Sequence, residues 1–290
     1  MTVLALALVF ASAIAHATWN YLAKSSRDTY AFSWAFTTVA GLMYVPIALI
    51  VTRFHPLPLN ALYFIGGTVL LHVLYFWLLN ASYARADLSV VYPMARGTSI
   101  ICIPVGAALL LDEHVSVRAA AAICLIVIGI LVVHSRGSGR KAISSLWLSF
   151  RDTGAQLALL TGLVIACYSL WDKHALTVVP PIVQDAGIFA GQAVINLPIT
   201  LHWRRRAVLR EICERPWAVL AAGILSPLAY LLVLTALTFS RVAYIAPSRE
   251  IGIVIGTLLG TRTLGEAHAS NRILGSCLIV GGVFALALFG

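Results

Sequence analysis

The feature that most constrains this chain is a series of apolar segments, each about 20 residues long, separated by short polar connections. A helix of about 20 apolar residues is long enough to cross the hydrocarbon core of a bilayer, which is about 30 Å thick. Strands of a membrane barrel would be about half that length and would alternate in polarity. The pattern therefore predicts an all-α integral membrane protein. The ten predicted transmembrane helices cover residues 2–24, 30–52, 59–82, 88–111, 117–134, 155–177, 182–201, 216–239, 243–263 and 273–289.

The composition also indicates a lipid environment. Of the 290 residues, 60% are hydrophobic and only 11% are charged, whereas soluble domains carry about 25% charged residues. A net charge of +9 would suggest nucleic-acid binding in a soluble protein. Here the basic residues lie mostly in the connections between apolar segments, where they set topology and contact lipid headgroups. We therefore expect membrane lipids and a small-molecule substrate as partners, and no nucleic acid.

The five cysteines are scattered along the chain, and no two of them have a C-x-x-C spacing. Inside apolar segments a thiol behaves as a small hydrophobic group. The sequence therefore predicts neither a disulfide framework nor a zinc site, and we expect no metal and no cofactor.

The two halves of the chain match each other at a nearly constant offset, which indicates a duplication. An offset of 152 or 153 residues relates Trp19 to Trp171, Asn20 to Asp172, Arg96 to Arg249, Glu113 to Glu266, and the sequence Cys-Leu-Ile-Val at 124–127 to the same sequence at 277–280. Because each half has an odd number of spans, the second half must cross the membrane in the opposite sense. The sequence thus predicts two inverted five-helix repeats, residues 1–135 and 155–290, joined by a basic linker at 136–154.

Three further features recur in both halves. The first span contains a tryptophan, the fourth is rich in proline and small residues and is followed by a glutamate, and the last contains glycine. This layout resembles the EamA type of transporter in the drug/metabolite transporter superfamily. The resemblance implies a ten-helix carrier in the cytoplasmic (inner) membrane that moves small metabolites, often outward. Four-span multidrug relatives exchange protons through a glutamate in their first span, but this chain has His16 and Asn20 there, so that chemistry does not transfer directly.

Arg96 and Arg249 are the most informative polar residues. Placing a charged side chain inside a span costs several kcal/mol of insertion free energy, so such a residue is first interpreted as functional. Each follows a proline, Pro93 or Pro247, which removes a backbone donor and can open the helix. A guanidinium binds carboxylate or phosphate through two parallel hydrogen bonds. We therefore expect an anionic or zwitterionic substrate. The alternative is that the arginines reach a nearby interface or pair internally with Glu250 or Asp172.

Aromatic and polar side chains in the first, third and sixth spans are further candidates for the site. Helical spacing places His16, Trp19 and Asn20 on one face of the first span, and Tyr168, Trp171 and Asp172 on the equivalent face of the sixth. For these two faces the alternative is an interfacial aromatic belt. In the third span, His72, Tyr75 and Asn80 can line a cavity opposite Tyr230 and Thr235 of the eighth span, and interhelical hydrogen bonding is their alternative role. The predicted substrate-binding residues are Arg96, Arg249, Trp19, Asn20, Tyr168, Trp171, Tyr92 and His72, and the candidates for coupling to an ion are His16, Asp172 and Glu250.

Glu113 is predicted to have a structural role. It precedes Ser116, which can cap the N-terminus of the fifth span, and an acid favours the positive end of a helix.

These residues favour a secondary transporter, working as an exporter by alternating access at a site between the halves. A non-transporting scaffold or lipid-binding protein is the alternative. A membrane-embedded enzyme is less favoured, because no H-E-x-x-H or G-x-S-x-G sequence occurs. Loops after odd-numbered spans hold fourteen Lys and Arg residues against four on the opposite side, which places both termini outside. The resemblance favours termini inside. We expect a monomer, with a homodimer left open.

Overall fold

The structure is a computed structural model, and it describes residues 1–86, 88–134, 152–255 and 269–289. The regular secondary structure in these ranges consists of helices, which are joined by turns and short connections. Each predicted span from the first to the eighth corresponds to one long helix, with ends within about two residues of those expected. The helices are α1 (Val3–Lys24), α2 (Thr29–Phe54), α3 (Asn60–Tyr83), α4 (Leu88–Leu110), α5 (Val117–His134), α6 (Thr153–Ala175), α7 (Pro181–Ile199), α8 (Arg205–Glu214), α9 (Pro216–Phe239), α10 (Val242–Ser248) and α11 (Ala269–Phe289).

Seven of the described helices are long and apolar enough to cross a membrane, and the apolar stretches Val117–Val133 and Ile273–Phe289 are shorter. The ninth predicted span, 243–263, is described only as far as residue 255. The count of ten therefore stays a prediction. Most of the basic linker at 136–154 and Glu266 lie outside the described residues.

Large apolar side chains point outward along the spans. Leu42 on α2, Leu109 on α4 and Val194 on α7 are 72%, 78% and 67% exposed. Water would penalise such surfaces, whereas lipid tails cover them without cost. Together with the helix lengths, this exposure identifies a multi-pass membrane protein.

Side-chain capping explains two helix starts. Asp28 accepts a hydrogen bond from the Ala31 N–H at 3.0 Å and caps α2. Ser116 accepts one from the Ala119 N–H at 3.1 Å and caps α5, as the sequence predicts. Glu113 instead caps another helix, because its carboxylate accepts the N–H groups of Val242 and Ala243 at the start of α10.

The chain divides into two compact units, and each combines segments from both halves of the sequence. Unit 1 contains Met1–Leu6, Leu74–Leu170 and Ser240–Gly290, and unit 2 contains Ala7–Val73 and Trp171–Phe239. The repeat boundaries at 1–135 and 155–290 describe sequence relatedness and stay a prediction.

In unit 1, α5 and α11 pack closely through glycines. A Cβ atom on Gly129 would lie 2.8 Å from the Gly275 carbonyl oxygen, and one on Gly275 would lie 2.6 Å from the Gly129 carbonyl oxygen. Only residues without side chains allow the two backbones to come this close. The glycines therefore set the distance between the two helices.

The contacts between α5 and α11 are reciprocal. A Cβ on Gly129 would meet Gly275 and Ile279, and a Cβ on Gly282 would meet Ala122 and Ile126. The offset of 153 residues takes position 129 to 282 and position 122 to 275, so the two contacts join equivalent pairs of positions. Because position 122 faces 282 and position 129 faces 275, the helices run antiparallel. They are related by a local two-fold axis, as an isologous contact requires.

In unit 2, α2 packs against α7 and α9. A Cβ on Gly41 would lie 3.3 Å from the Ala190 backbone, and one on Gly223 would lie 2.7 Å from Val39. Phe32 and Phe36 of α2 are buried in the same apolar cluster as Val219 of α9.

The ends of the helices in unit 2 can be ordered along α9. The Arg215 guanidinium, just before α9, donates to Ser25 at 2.8 Å, so α1 ends beside the beginning of α9. The Lys173 ammonium donates to the Leu237 carbonyl at 2.6 Å, so α6 ends beside the end of α9. The equivalent first helices of the two halves therefore end at opposite ends of unit 2.

The short helix α8 was not predicted. A π-helical turn, Thr200–Arg204, continues α7 into it. Val208 and Glu211 are its buried residues, and Arg205, Arg206 and Arg210 are exposed. Buried Glu211 accepts the backbone N–H groups of Arg27 and Asp28 at 2.9 and 3.0 Å, which fixes α8 at the start of α2.

Candidate functional site

Arg96 and Glu250 form an ion pair inside unit 1. Arg96 lies within α4, and Glu250 lies just after α10. The Arg96 Nε donates to Glu250 Oε2 at 3.2 Å, and its terminal nitrogen donates to Oε1. The two side chains are 18% and 1% exposed. This bidentate arrangement is the internal pairing that the sequence left open as an alternative.

The position of Glu250 depends on a break in the ninth predicted span. The helix α10 ends at Ser248, one residue after Pro247, and helical structure resumes at residue 251. Across the break, the Glu250 N–H donates to the Pro247 carbonyl at 3.1 Å, three residues back instead of four. This bond tightens the chain at the break, and Pro247 removes the backbone donor that would bond to the Ala243 carbonyl one turn earlier. By contrast, α4 continues unbroken through Pro93.

Tyrosines surround the ion pair. Tyr92 lies within electrostatic range of Arg96, Glu250 and Arg249. Tyr75 lies within range of both arginines and meets Tyr168 edge to face, with ring centroids 5.8 Å apart. We call this group the arginine cluster; its members are Arg96, Arg249, Glu250, Tyr75, Tyr92 and Tyr168. Five of the six are predicted substrate-binding or coupling residues, and Tyr75 is predicted to line a cavity.

The arginine cluster contains two guanidinium groups and one carboxylate. Its named residues thus carry a net charge of one positive unit in a mostly apolar setting. Low dielectric strengthens the attraction of this charge for an anion. Phenols and guanidinium groups are also hydrogen-bond donors. The arrangement can therefore hold a small ligand that has a carboxylate or phosphate group.

Asp172 is the centre of a second polar group, which lies in unit 2. It is fully buried, and its Oδ1 accepts hydrogen bonds from the Thr68 hydroxyl at 2.5 Å and the Gln184 amide at 3.0 Å. Its Oδ2 accepts one from the Tyr230 hydroxyl at 2.5 Å. The His72 ring meets Tyr230 at 5.4 Å and donates from Nδ1 to the Thr68 carbonyl at 2.9 Å. We call Thr68, His72, Asp172, Gln184 and Tyr230 the aspartate network.

Trp171 is packed tightly next to this network. Its indole N–H donates to the Phe64 carbonyl at 2.9 Å. The ring lies over Gly67, where a Cβ atom would come within 2.3 Å of the indole. At this position the side chain fills space between α3 and α6.

The predicted residues on α1 lie in unit 2, and they differ in exposure. His16 and Asn20 are exposed, and the Asn20 amide donates to the His16 carbonyl at 2.7 Å. Trp19 packs on Phe36 with ring centroids 5.4 Å apart, and its indole N–H is buried without a hydrogen-bond acceptor among the described residues. The predicted face therefore combines a packed indole with two outward polar groups.

Sequence reasoning missed Asp185, Thr68 and Gln184 as members of polar clusters. Asp185 is fully buried in α7. The rule that singled out Arg96, a charge inside an apolar segment, applies equally to Asp185 and would have found it. Thr68 and Gln184 are uncharged, and only the fold shows which spans they face.

Comparisons with known proteins support the reading of the fold. Residues 152–288 match the EamA-like transporter family. A crystal structure of a protein aligns with 98% of this chain and 96% of its own, with a TM-score of 0.74 and 18% sequence identity. At that identity the likeness shows the fold alone. No curated protein matches the chain. This chain is therefore a multi-pass membrane protein whose residues 152–288 belong to the EamA-like transporter family, within the drug/metabolite transporter superfamily.

Proposed function

We propose that this protein is a secondary transporter that exports a small anionic or zwitterionic metabolite across the cytoplasmic membrane. Its ten spans form two inverted five-helix repeats, 1–135 and 155–290, which alternate between inward-open and outward-open states. The family match supports transport as the general activity. The substrate class follows from the charged residues of unit 1.

The observation that carries the proposal is the arginine cluster. It contains two arginines from apolar segments and one carboxylate, which pairs with Arg96. Buried intramembrane charges mark substrate pathways by default. A substrate carboxylate competes with Glu250 for the Arg96 guanidinium, because both groups fit the same pair of donors. Arg249 supplies the second positive charge, which keeps the cluster attractive to an anion while Glu250 is paired.

The inverted arrangement is supported by the helix directions within each unit. In unit 1, the equivalent helices α5 and α11 run antiparallel with reciprocal glycine contacts. In unit 2, α1 and α6 end at opposite ends of α9. Two copies of one five-helix repeat that cross the membrane in opposite senses give two alternative packings of similar energy. Alternating access needs two such packings.

The remaining predicted residues have secondary roles in the proposal. Tyr92 and Tyr168 orient the substrate beside Arg96. Trp19, Asn20, Trp171 and His72 of unit 2 stay predicted substrate-binding residues. His16, Asp172 and Glu250 are candidates for ion coupling. Among these, Glu250 is already paired with Arg96, so its protonation would release that guanidinium to the substrate.

The test is counterflow in proteoliposomes containing the full chain, with labelled carboxylate, phosphate and amine metabolites assayed separately. The variant Arg249→Gln is expected to reduce anion counterflow at least about tenfold, because a charge-assisted hydrogen bond contributes about 1.5–3 kcal/mol. Arg85→Gln is the matched control, because Arg85 is exposed and donates to the Ala81 carbonyl.

A second variant avoids leaving a buried charge unpaired. Arg96→Gln alone strands Glu250, which costs about 3–5 kcal/mol and risks misfolding. The double variant Arg96→Gln with Glu250→Gln removes both charges and is expected to keep the fold while losing anion counterflow. Wild-type counterflow confined to amines, or unchanged anion counterflow in Arg249→Gln, would contradict the proposal.

A further inference from the structure

Asp185 is the least satisfied titratable side chain in the described part of unit 2. It lies in α7 with 0% exposure. Neither of its carboxyl oxygens accepts a hydrogen bond from the described residues. Burying an ionised carboxylate without donors is far more costly than burying the neutral acid. The geometry therefore favours a protonated Asp185.

Asp172 lies within electrostatic range of Asp185 and differs from it in its hydrogen bonds. Three donors point at the Asp172 carboxylate, from Thr68, Gln184 and Tyr230. Hydrogen bonds of this kind stabilise the ionised form of an acid. Two interacting carboxylates do not both ionise readily, and the pair then holds one proton. The donors assign that proton to Asp185.

Acceptors outnumber donors around the two aspartates. Besides the two Asp185 oxygens, the Gln184 Oε1 is buried and accepts no hydrogen bond from the described residues. The amide nitrogen of Gln184 donates its hydrogen bond to Asp172. A proton on Asp185 supplies one O–H donor to this acceptor-rich site. A metal cation would compete with the proton for the same Asp185 oxygens, so the test below includes sodium ions.

Several other titratable groups surround the aspartate pair. Tyr44 on α2 lies within electrostatic range of Asp185. His72 on α3 and Tyr230 on α9 belong to the aspartate network. Lys173 follows Asp172 on α6, and its ammonium donates to the Leu237 carbonyl. The approach of α3 to α7 is close, since a Cβ on Gly187 would lie 2.7 Å from Ile65.

We propose that Asp185 is the proton-binding residue of this protein, with Asp172 as its fixed anionic neighbour. The proton leaves Asp185 for water when a conformational change admits water to the pair, and one proton returns from water when the site closes. No other reactant is needed. The link between this proton and substrate movement rests on the proposed transport function, whereas proton binding itself does not.

The test is infrared spectroscopy of the purified full chain in lipid, which detects the carbonyl stretch of a buried protonated carboxyl at neutral pH. The wild type is expected to show this band, Asp185→Asn to lose it, and Asp172→Asn to keep it. Asp112→Asn is the matched control, because Asp112 is exposed and its φ of 52° suits asparagine equally well.

Three outcomes would overturn the assignment. They are a wild type without the band, a band that disappears in Asp172→Asn but persists in Asp185→Asn, and a band abolished by sodium ions at constant pH. The wild-type and sodium measurements require no variant, so they can overturn the assignment even where Asp185→Asn fails to fold.

Counterflow under an imposed proton gradient separates this inference from the proposed function. If Asp185 couples the proton to transport, the gradient accelerates wild-type counterflow, and Asp185→Asn becomes insensitive to it. A band without counterflow of any metabolite counts against transport and supports the proton site. Counterflow without the band counts against the proton site and supports transport.

Discussion

At the scale of single residues, two buried glutamates accept hydrogen bonds from backbone N–H groups at or next to the start of a helix. Glu113 accepts the N–H groups of Val242 and Ala243, and Glu211 accepts those of Arg27 and Asp28. The first N–H groups of a helix have no partner within it, and they favour negative charge. Each carboxylate therefore stabilises a helix that belongs to a distant part of the sequence.

Replacing Glu113 by glutamine is expected to destabilise the protein by about 1–3 kcal/mol. The amide keeps one acceptor, but its NH2 group faces a backbone N–H that then lacks a partner. The midpoint of thermal unfolding in detergent measures the change. Glu214→Gln is the control, because Glu214 is exposed and pairs with Arg27 on the surface, where the loss is within about 0.5 kcal/mol. Equal midpoints in the two variants would exclude the capping role of Glu113.

Part of the candidate site could be predicted from single residues. Arg96, Arg249 and Glu250 stand out because charges in apolar segments are costly, and the fold brings them together with Tyr92 and Tyr168. Which carboxylate pairs with Arg96 could not be predicted. That choice depends on the break after Ser248, which places Glu250 beside α4.

At the scale of elements, hydropathy located the helices because the bilayer sets their length. It did not predict α8, whose charged sequence Arg-Arg-Ala-Val-Leu-Arg-Glu-Ile looks like a connection. This helix is held by the contact of Glu211 with the start of α2, which no local pattern encodes. The effect of a proline on its helix could not be predicted either. The helix α4 continues through Pro93, whereas α10 ends one residue after Pro247.

The packing of α5 on α11 gives a prediction at this scale. Gly129→Ala is expected to destabilise the protein by about 1–3 kcal/mol, because the new methyl group would lie 2.8 Å from the Gly275 carbonyl oxygen and the Ile279 side chain. The helices must then move apart. Thermal unfolding of the purified protein measures the loss.

Gly281→Ala is the matched control for this substitution. Gly281 lies on α11. A Cβ atom added there would lie 3.9 Å from the Leu125 side chain, which is an ordinary van der Waals contact. Alanine also favours helix over glycine by up to about 1 kcal/mol. We expect Gly281→Ala to be neutral or stabilising. Similar losses in both variants would indicate that the close approach of α5 and α11 does not limit stability.

At the scale of the whole molecule, the basic residues are concentrated at one end of unit 2. Arg27, Arg204 and Arg215 lie there, where α1 ends and α9 begins, and Arg204 pairs with Asp28 at 2.9 Å. The exposed arginines of α8 add to this end. Basic residues are retained on the cytoplasmic side of a membrane. This distribution favours a cytoplasmic location for that end and an external location for both termini.

The last prediction tests the opposite threading of the two halves. Single cysteines at Ser25, after α1, and at Thr177, after α6, are introduced into a chain that lacks the five native cysteines. Both positions are exposed. Since α1 and α6 end at opposite ends of α9, an impermeant thiol reagent added outside is expected to label Thr177→Cys in intact cells, and Ser25→Cys only after the membrane is opened. Labelling of both from one side would rule out the inverted repeat. Labelling from the reversed sides would keep the inverted repeat and place the termini inside, against the charge distribution.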